Sequence, residues 1–344
     1  MCLPSSLQKL NGKEIEFNQE QVTIPDFIEE LSTECFSDEN NLKRVALSTN
    51  LKSLPYGCFF YCELLQEITI PSSVSWIGED CFKECSSLSK IVLSPNIRSL
   101  PYQCFWNCSS LREITIPSSA TTIGKYCFFN CSSLTKIILP TSVKTLKQGC
   151  FSNCISLIKI IIPSSITSIE NCCFMKCLSL SSVVLSENLN ELSSSFFSGC
   201  SSLKEISIPS NVTSIGNHCF ENCSSLTRII IPTSVKSLKY RCFLNCRSMK
   251  ELLLPSHYYN SEKLKEIGYS GAIKYYDLKE EWIFFLNKID LQLYCVYFLF
   301  LFIDHYMKTS SINVDGWWNI QFNPMISLDA LKICLRFDCE QKRN

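Results

Sequence analysis

The segment SSATTIGKYCFFNCSSLTKIILP, residues 118–140, is one copy of a unit that repeats every 23 residues through most of the chain. At its centre stands the pair Cys127-Phe128, which recurs, with one conservative variant, at ten successive places. These are Cys35-Phe36, Cys58-Phe59, Cys81-Phe82, Cys104-Phe105, Cys127-Phe128, Cys150-Phe151, Cys173-Phe174, Phe196-Phe197, Cys219-Phe220 and Cys242-Phe243. A strict period of roughly 20 to 50 residues predicts a stack of equal supersecondary units, because no single unit can bury its apolar side alone.

Each unit contains two extended stretches and a turn. In the segment L-x-x-I-x-I, apolar and polar residues alternate, which predicts a short strand with one buried face. Proline usually follows, as at Pro71 and Pro117, and ends the strand because it has no amide proton to donate. The segment V-x-x-I predicts a second extended stretch. The segment Cys-Phe-x-x-Cys predicts a helical turn, since residues four apart share a helix face.

The complete pattern L-x-x-I-x-I-P-x-S-V-x-x-I-G-x-x-C-F-x-x-C-S-S-L resembles the BspA-like leucine-rich repeat of bacterial surface proteins and anaerobic protozoa. Residues 72–94 and 118–140 follow it almost letter for letter. The resemblance implies an α/β-type leucine-rich repeat horseshoe or solenoid of about ten to eleven coils, with mostly short parallel strands and short helical turns. It also implies a cell-surface or adhesive protein-binding role. The family usually has alanine before the phenylalanine, where this chain has cysteine.

Composition argues against several classes of function. Lys plus Arg and Asp plus Glu number 32 each, so the chain has no excess positive charge to attract phosphates. This argues against nucleic acid as a partner. Only three histidines occur, and no phosphate loop or nucleophile motif accompanies them. We therefore predict a non-enzymatic chain with no cofactor and no metal. The N-terminus lacks the pattern of a secretory signal, which predicts a cytoplasmic location, with the cell surface as the alternative.

The chain has 23 cysteines, and 18 of them fall in two repeat columns, one beside each phenylalanine and one four residues later. Three interpretations remain open: packing, disulfides and metal binding. The C-x3-C spacing differs from the C-x2-C of zinc sites, and a ladder of equivalent neighbours defines no unique disulfide pattern. Cysteine is also a small, often buried apolar residue, which favours packing.

The repeat predicts three regions. Residues 1–21 form a degenerate N-terminal cap or partial repeat, residues 22–255 form the solenoid, and residues 256–344 form an atypical aromatic segment, either a cap helix or poorly ordered. Within the last region, the run 291–303 is apolar except for Gln292. It is shorter than the roughly 20 residues of a membrane span, so a buried or interfacial capping helix and a membrane anchor both remain open.

Three columns are candidates for contact with a partner. In each coil, the position that we call the outward column lies between two buried positions, so its side chain should point outward from the concave sheet. The outward column comprises Thr69, Val92, Thr115, Ile138, Ile161, Val184, Ser207, Ile230 and Leu253. Its apolar stretch predicts a surface for a protein ligand, although β-propensity alone also explains it. The resulting hypothesis is a protein-binding scaffold that uses the concave strand face. The alternative is a membrane-attached adhesin anchored by the C-terminal apolar segment; the oligomeric state is left open.

Two further columns each have two interpretations. The charge column comprises Arg44, Glu67, Lys90, Glu113, Lys136, Lys159, Ser182, Glu205, Arg228 and Glu251, and it forms either a contact strip or a self-neutralised ladder. The edge column lies two residues after the first cysteine and includes Phe60, Trp106, Phe129, Met175 and Leu244. It forms either a binding edge or local cover for the turn.

Overall fold

The structure is a computed structural model that describes residues 20–259 and 261–276, apart from the side chain of Lys263. It also describes the backbone of three short strands, Lys9–Leu10, Lys13–Glu14 and Phe17–Asn18. All of these residues belong to one compact unit within Met1–Glu281. Most of the predicted N-terminal cap and C-terminal segment, including the apolar run 291–303, lies outside the described residues.

A row of parallel strands, here called the major sheet, runs through the repeats. Its strands are Gln21–Thr23, Arg44–Ala46, Glu67–Thr69, Lys90–Val92, Glu113–Thr115, Lys136–Ile138, Lys159–Ile161, Ser182–Val184, Arg228–Ile230, Glu251–Pro255 and Ile273–Tyr276. In most three-residue strands the middle side chain is buried and the two outer ones are exposed, as the alternating pattern predicts. Strand pairing is interrupted at three places: between Val92 and Glu113, between Ile138 and Lys159, and between Val184 and Arg228, where Glu205 forms only an isolated bridge to Arg228.

A second parallel ladder, the minor sheet, is built from the V-x-x-I segments. Its two-residue strands are Ser53–Leu54, Trp76–Ile77, Ser99–Leu100, Thr122–Ile123, Thr145–Leu146, Ser168–Ile169, Glu191–Leu192, Ser214–Ile215 and Ser237–Leu238. The second residue of each strand is buried, and the first is half-buried or exposed. The fold is therefore a parallel β-solenoid of about eleven turns, as the repeat predicted.

The Cys-Phe-x-x-Cys segments form turns and not the helical turns that the spacing suggested. In every repeat, the residue before the first cysteine position and the residue three after it adopt positive φ, as Tyr126 (54°) and Asn130 (57°) do. Two left-handed residues this close prevent a run of α-helical hydrogen bonds. Among the described residues the only helices are two 3-10 segments, Ser256–Tyr258 and Glu262–Glu266. Neither lies in a Cys-Phe turn.

The phenylalanine after each first cysteine position lies in a continuous stack of rings along the solenoid. The Phe128 ring lies 5.3 Å from that of Phe105 and 5.4 Å from that of Phe151, nearly parallel to both. Phe196 stands where the column otherwise has cysteine. It is completely buried, and its ring packs edge-on against Phe197 at 4.5 Å. The column thus accepts either a thiol or an aromatic ring in the core.

The second cysteine column carries a repeated hydrogen bond. Each thiol donates to the carbonyl of the phenylalanine 26 residues earlier, in the preceding coil, at sulfur–oxygen distances of 2.9 to 3.2 Å. The donors are Cys62, Cys85, Cys108, Cys131, Cys154, Cys177, Cys200, Cys223 and Cys246. These cysteines therefore fill space and also link adjacent coils.

The stack extends beyond the regular repeats at both ends. Gln21–Thr23 pairs in parallel with Arg44–Ala46, and Phe17–Asn18 pairs antiparallel with Gln21–Thr23. At the other end, Ile273–Tyr276 pairs in parallel with Leu252–Pro255, although Leu252 aligns with a residue only 21 positions later. Ile267 is fully buried in this last, shortened coil.

We expect Phe128→Ala to destabilise the fold by about 3–5 kcal/mol, because it removes a fully buried ring that contacts two neighbours. Urea-induced unfolding followed by circular dichroism measures this effect. The matched control is Ile138→Ala, which shortens an exposed side chain and should change the free energy of unfolding by at most about 0.5 kcal/mol. Equal losses in the two variants would contradict the central role of the stack.

The buried thiols predict a specific loss of stability in alkali. Burial raises the pKa of Cys81, Cys104, Cys127 and Cys150 above the value of an exposed thiol. The folded chain therefore keeps protons that the unfolded chain releases. This contribution to stability is fully present below about pH 8.5 and is lost as the pH rises further.

We therefore expect the urea midpoint, measured with a phosphine reductant present, to fall steeply between about pH 8 and about pH 10. In the variant C81A/C104A/C127A/C150A the fall should be shallower, because four of the linked protons are gone. The comparison concerns the pH dependence of each chain and not its absolute stability. The absolute stability of the variant is also lowered, because each Cys-to-Ala change leaves a small cavity. Parallel curves for the two chains would rule out this linkage.

Candidate functional site

The outward column lies on the solvent-facing side of the major sheet. Thr69, Val92, Thr115, Ile138, Ile161, Val184 and Ser207 are exposed, and Ile230 is half-buried. The aliphatic members in the middle are the most open, with exposed fractions of 66% for Ile138, 54% for Ile161 and 50% for Val184. Strand pairing sets Thr115 beside Ile138, and Ile161 beside Val184.

Leu253 departs from the rest of the outward column. The repeat predicts that it faces solvent, but it is 3% exposed. Its strand, Glu251–Pro255, has five residues, and the four after Glu251 are all buried. The alternation of buried and exposed residues therefore ends in this strand, and the prediction for Leu253 was wrong.

Three more aliphatic residues of the central coils are exposed: Ile155, Ile158 and Leu178 are 38%, 53% and 43% exposed. Sequence columns missed them, because each stands where most other coils have a polar residue. The signal was present in the sequence as departures from the column average. We call Ile138, Ile155, Ile158, Ile161, Leu178 and Val184 the aliphatic patch.

The charge column is neutralised at its two ends. Arg44 Nε lies 3.2 Å from Glu67 Oε1, and Arg228 Nε lies 3.1 Å from Glu251 Oε2. Lys274 also pairs with Glu251, and this contact lowers the pKa of the Glu251 carboxyl. These pairs are the cross-strand ladder that alternating charges favour.

The centre of the charge column differs from its ends. Lys90, Glu113, Lys136 and Lys159, with the neighbouring Arg112, are all exposed. None of the five forms an ion pair with another described residue. The middle of the face therefore has four cations and one carboxylate with their charges directed to solvent.

A shallow groove of about 410 Å³ opens on this face, lined by Ser89, Lys90, Arg112, Glu113 and Thr135. It coincides with the interruption of strand pairing between Val92 and Glu113. Both guanidinium and ammonium groups line it, together with two hydroxyls and one carboxylate. Such a lining can hold a carboxylate or a polar backbone segment by charge-assisted hydrogen bonds.

The edge column has a geometry that suits local cover. Trp106 and Phe129 are half-buried and stack on each other, with ring centroids 4.0 Å apart. The Lys83 ammonium lies 5.4 Å from the Phe60 ring centre and 5.7 Å from that of Trp106. Much of the surface of these rings therefore contacts neighbouring side chains, so we do not place the candidate site there.

The cysteines offer no alternative site among the described residues. None of the nineteen described cysteines forms a disulfide, and all are buried except the half-buried Cys172. Cys150 Sγ and Cys173 Sγ lie 3.3 Å apart, at contact distance for two thiols. Across the same part of the chain, no group of three or more His, Cys, Asp or Glu side chains is arranged to hold a metal ion. The described residues also include no helix that is both long and apolar enough to cross a bilayer.

A family comparison agrees with this architecture. The family described as the BspA type leucine rich repeat region, in six copies, matches residues 14–135 and 121–250. These matches cover well over half of the chain. The chain belongs to the BspA-type leucine-rich repeat family. The resemblance drawn from the Cys-Phe repeat is thereby confirmed.

The chain is also similar to solved structures of bacterial proteins. The pneumococcal vaccine antigen PcpA is 19% identical, with a TM-score of 0.53 over 75% of this chain and 79% of its own. A leucine rich cell surface protein from Faecalibacterium prausnitzii is 24% identical, with a TM-score of 0.46 over 76% and 80% of the two chains. A leucine-rich repeat protein from Bacteroides ovatus is 22% identical, with a TM-score of 0.48 over 75% and 84%. No curated protein matches the sequence.

Proposed function

We propose that this BspA-type leucine-rich repeat protein is a non-enzymatic scaffold that binds another protein through the outward face of its major sheet. The observation that carries the proposal is the aliphatic patch, in which six Ile, Leu and Val side chains are each at least 38% exposed. Exposed aliphatic side chains grouped in neighbouring coils are typical of interaction sites.

The architecture explains why the patch is not required for folding. The core columns of phenylalanine, cysteine and leucine are buried in every regular coil, so the fold is already secured beneath the sheet. An isoleucine that points to solvent gains little from folding. Its burial against a partner would contribute up to about 2 kcal/mol. The strands that carry Ile138, Ile161 and Val184 also hold these side chains in place before binding, which lowers the entropy that association costs.

The location of the protein and its attachment remain separate proposals. The cytoplasmic prediction and its cell-surface alternative both rest on the sequence. The anchoring hypothesis rests on residues 291–303, which lie outside the described residues. Binding through the major sheet requires neither location, so the scaffold function can be tested by itself.

The test removes the apolar contact without changing charge. A displayed library of random peptides is selected on the immobilised full-length chain, and the enriched peptides are then titrated against I138S/I161S. We expect these peptides to bind the variant about tenfold more weakly or worse, since two central aliphatic contacts are lost. Serine is accepted at this position, because Ser207 occupies the same column.

Trp76→Ser is the matched control. Trp76 is 50% exposed on the minor sheet, and its column has serine at Ser53 and Ser99. This variant removes a large exposed apolar side chain from a different face, so peptide affinity should not change. Circular dichroism and thermal unfolding verify that both variants fold. If W76S and I138S/I161S behave alike, the major sheet is not the binding face.

A further inference from the structure

We propose that the protein segment bound on this face is acidic and aliphatic, with carboxylates directed at Lys90, Arg112, Lys136 and Lys159 and aliphatic side chains directed at the patch. The inference rests on the proposed function and assigns the chemistry of the partner. It comes from the charges of the central strands, which form no ion pair with any other residue that the structure describes.

The first step is the contrast between the ends and the centre of the charge column. At the ends, Arg44 and Arg228 are paired with Glu67 and Glu251, so those cations are already satisfied. Between them, the four central cations face solvent; Glu113 lies among them, and Glu67, which pairs with Arg44, lies on the strand beside Lys90. A net positive strip within a chain of zero formal charge is a local feature, and it selects for a partner of opposite sign.

The second step is geometry. Within one strand the charge column and the outward column are two residues apart, which is roughly 7 Å, and both face the same side. Lys136 and Ile138 share a strand in this way, as do Lys159 and Ile161. A partner that lies across these strands therefore faces a row of cations and, parallel to it, a row of aliphatic side chains.

The two rows also set the size of the partner segment. The five strands from Lys90–Val92 to Ser182–Val184 span about 19 Å across the sheet at the usual strand spacing. An extended chain lying across them would need about six residues to cover that distance. The groove beside Lys90 and Arg112 lies at one end of the two rows, where it can receive a carboxylate.

The surroundings of the cations favour protein over nucleic acid. Nucleic-acid surfaces combine cations with aromatic rings, on which bases stack. The exposed side chains between Ser89 and Val184 on this face are hydroxyl, charged or aliphatic, and none is aromatic. Aliphatic groups in the row beside the cations give phosphates nothing to bind, but they suit a peptide that alternates acidic and aliphatic residues.

The experiment uses the same displayed peptide library with the full-length chain. We expect the enriched peptides to be rich in Asp and Glu beside Val, Ile or Leu. We also expect K136E/K159E to bind them at least about tenfold more weakly, and added salt to weaken binding to the wild type. K144E/K236E is the matched control, because it reverses two lysines outside the major sheet and should leave affinity unchanged.

The outcomes separate this inference from the proposed function. If peptides lose affinity for I138S/I161S but bind K136E/K159E as they bind the wild type, the face binds protein and the acidic assignment is wrong. If neither pair of substitutions matters, the proposed function fails as well. A single-stranded oligonucleotide is the second probe. Tight oligonucleotide binding that K136E/K159E abolishes and I138S/I161S leaves intact would overturn the inference in favour of a polyanion site.

Discussion

The stack of phenylalanine rings is the contact on which the rest of the solenoid depends. Neighbouring rings lie 5.2 to 5.8 Å apart along the chain from Phe36 to Phe243, and each ring is completely buried. A coil with one residue too many would move its ring out of line and break contacts with two neighbours. The rings therefore explain why the period holds at 23 residues through ten coils. The thiol-to-carbonyl bonds of the second cysteine column reinforce the same alignment, because each one joins a coil to the phenylalanine of the coil before it.

The buried part of this structure could be predicted from the sequence because the repeat averages over ten examples. Two strands per coil, their buried positions and the phenylalanine column all follow from that average. The helical turn was predicted wrongly, since spacing alone does not reveal two left-handed residues such as Tyr126 and Asn130. The reason for the glycine at position 124 could not be predicted from the sequence either. Its φ is not positive, so no turn requires glycine there. A Cβ at that position would lie 2.5 Å from the carbonyl carbon of Pro101 in the preceding coil, so close approach between coils excludes a side chain.

The candidate site was harder to predict because it depends on differences between coils. The outward column was found from its register, but Ile155, Ile158 and Leu178 were missed because they depart from their columns. The charge column posed a related difficulty. The signs alternate from Arg44 to Lys136 and predict pairing there, yet among the described residues ion pairs form at Arg44 and Arg228 and not at Lys90 or Lys136. Lysine is long and flexible, and an exposed pair is worth only a few tenths of a kcal/mol, so sequence alone cannot determine which neighbours meet.

Core columns and surface columns are separate in this molecule, so surface residues can vary with little effect on the fold. Surface substitutions in such a solenoid typically change stability by at most about 0.5 kcal/mol, whereas a buried ring is worth several times more. The outward positions are therefore not fixed by folding and can be chosen for binding. In coils near residues 138–184 they carry exposed Ile, Leu and Val, which bring no benefit to the core and a penalty in solubility. Residues that are costly on a surface and unnecessary for folding support the proposed contact with a partner, and the nearby cations, which pair with no other described residue, support the proposal that this partner is acidic.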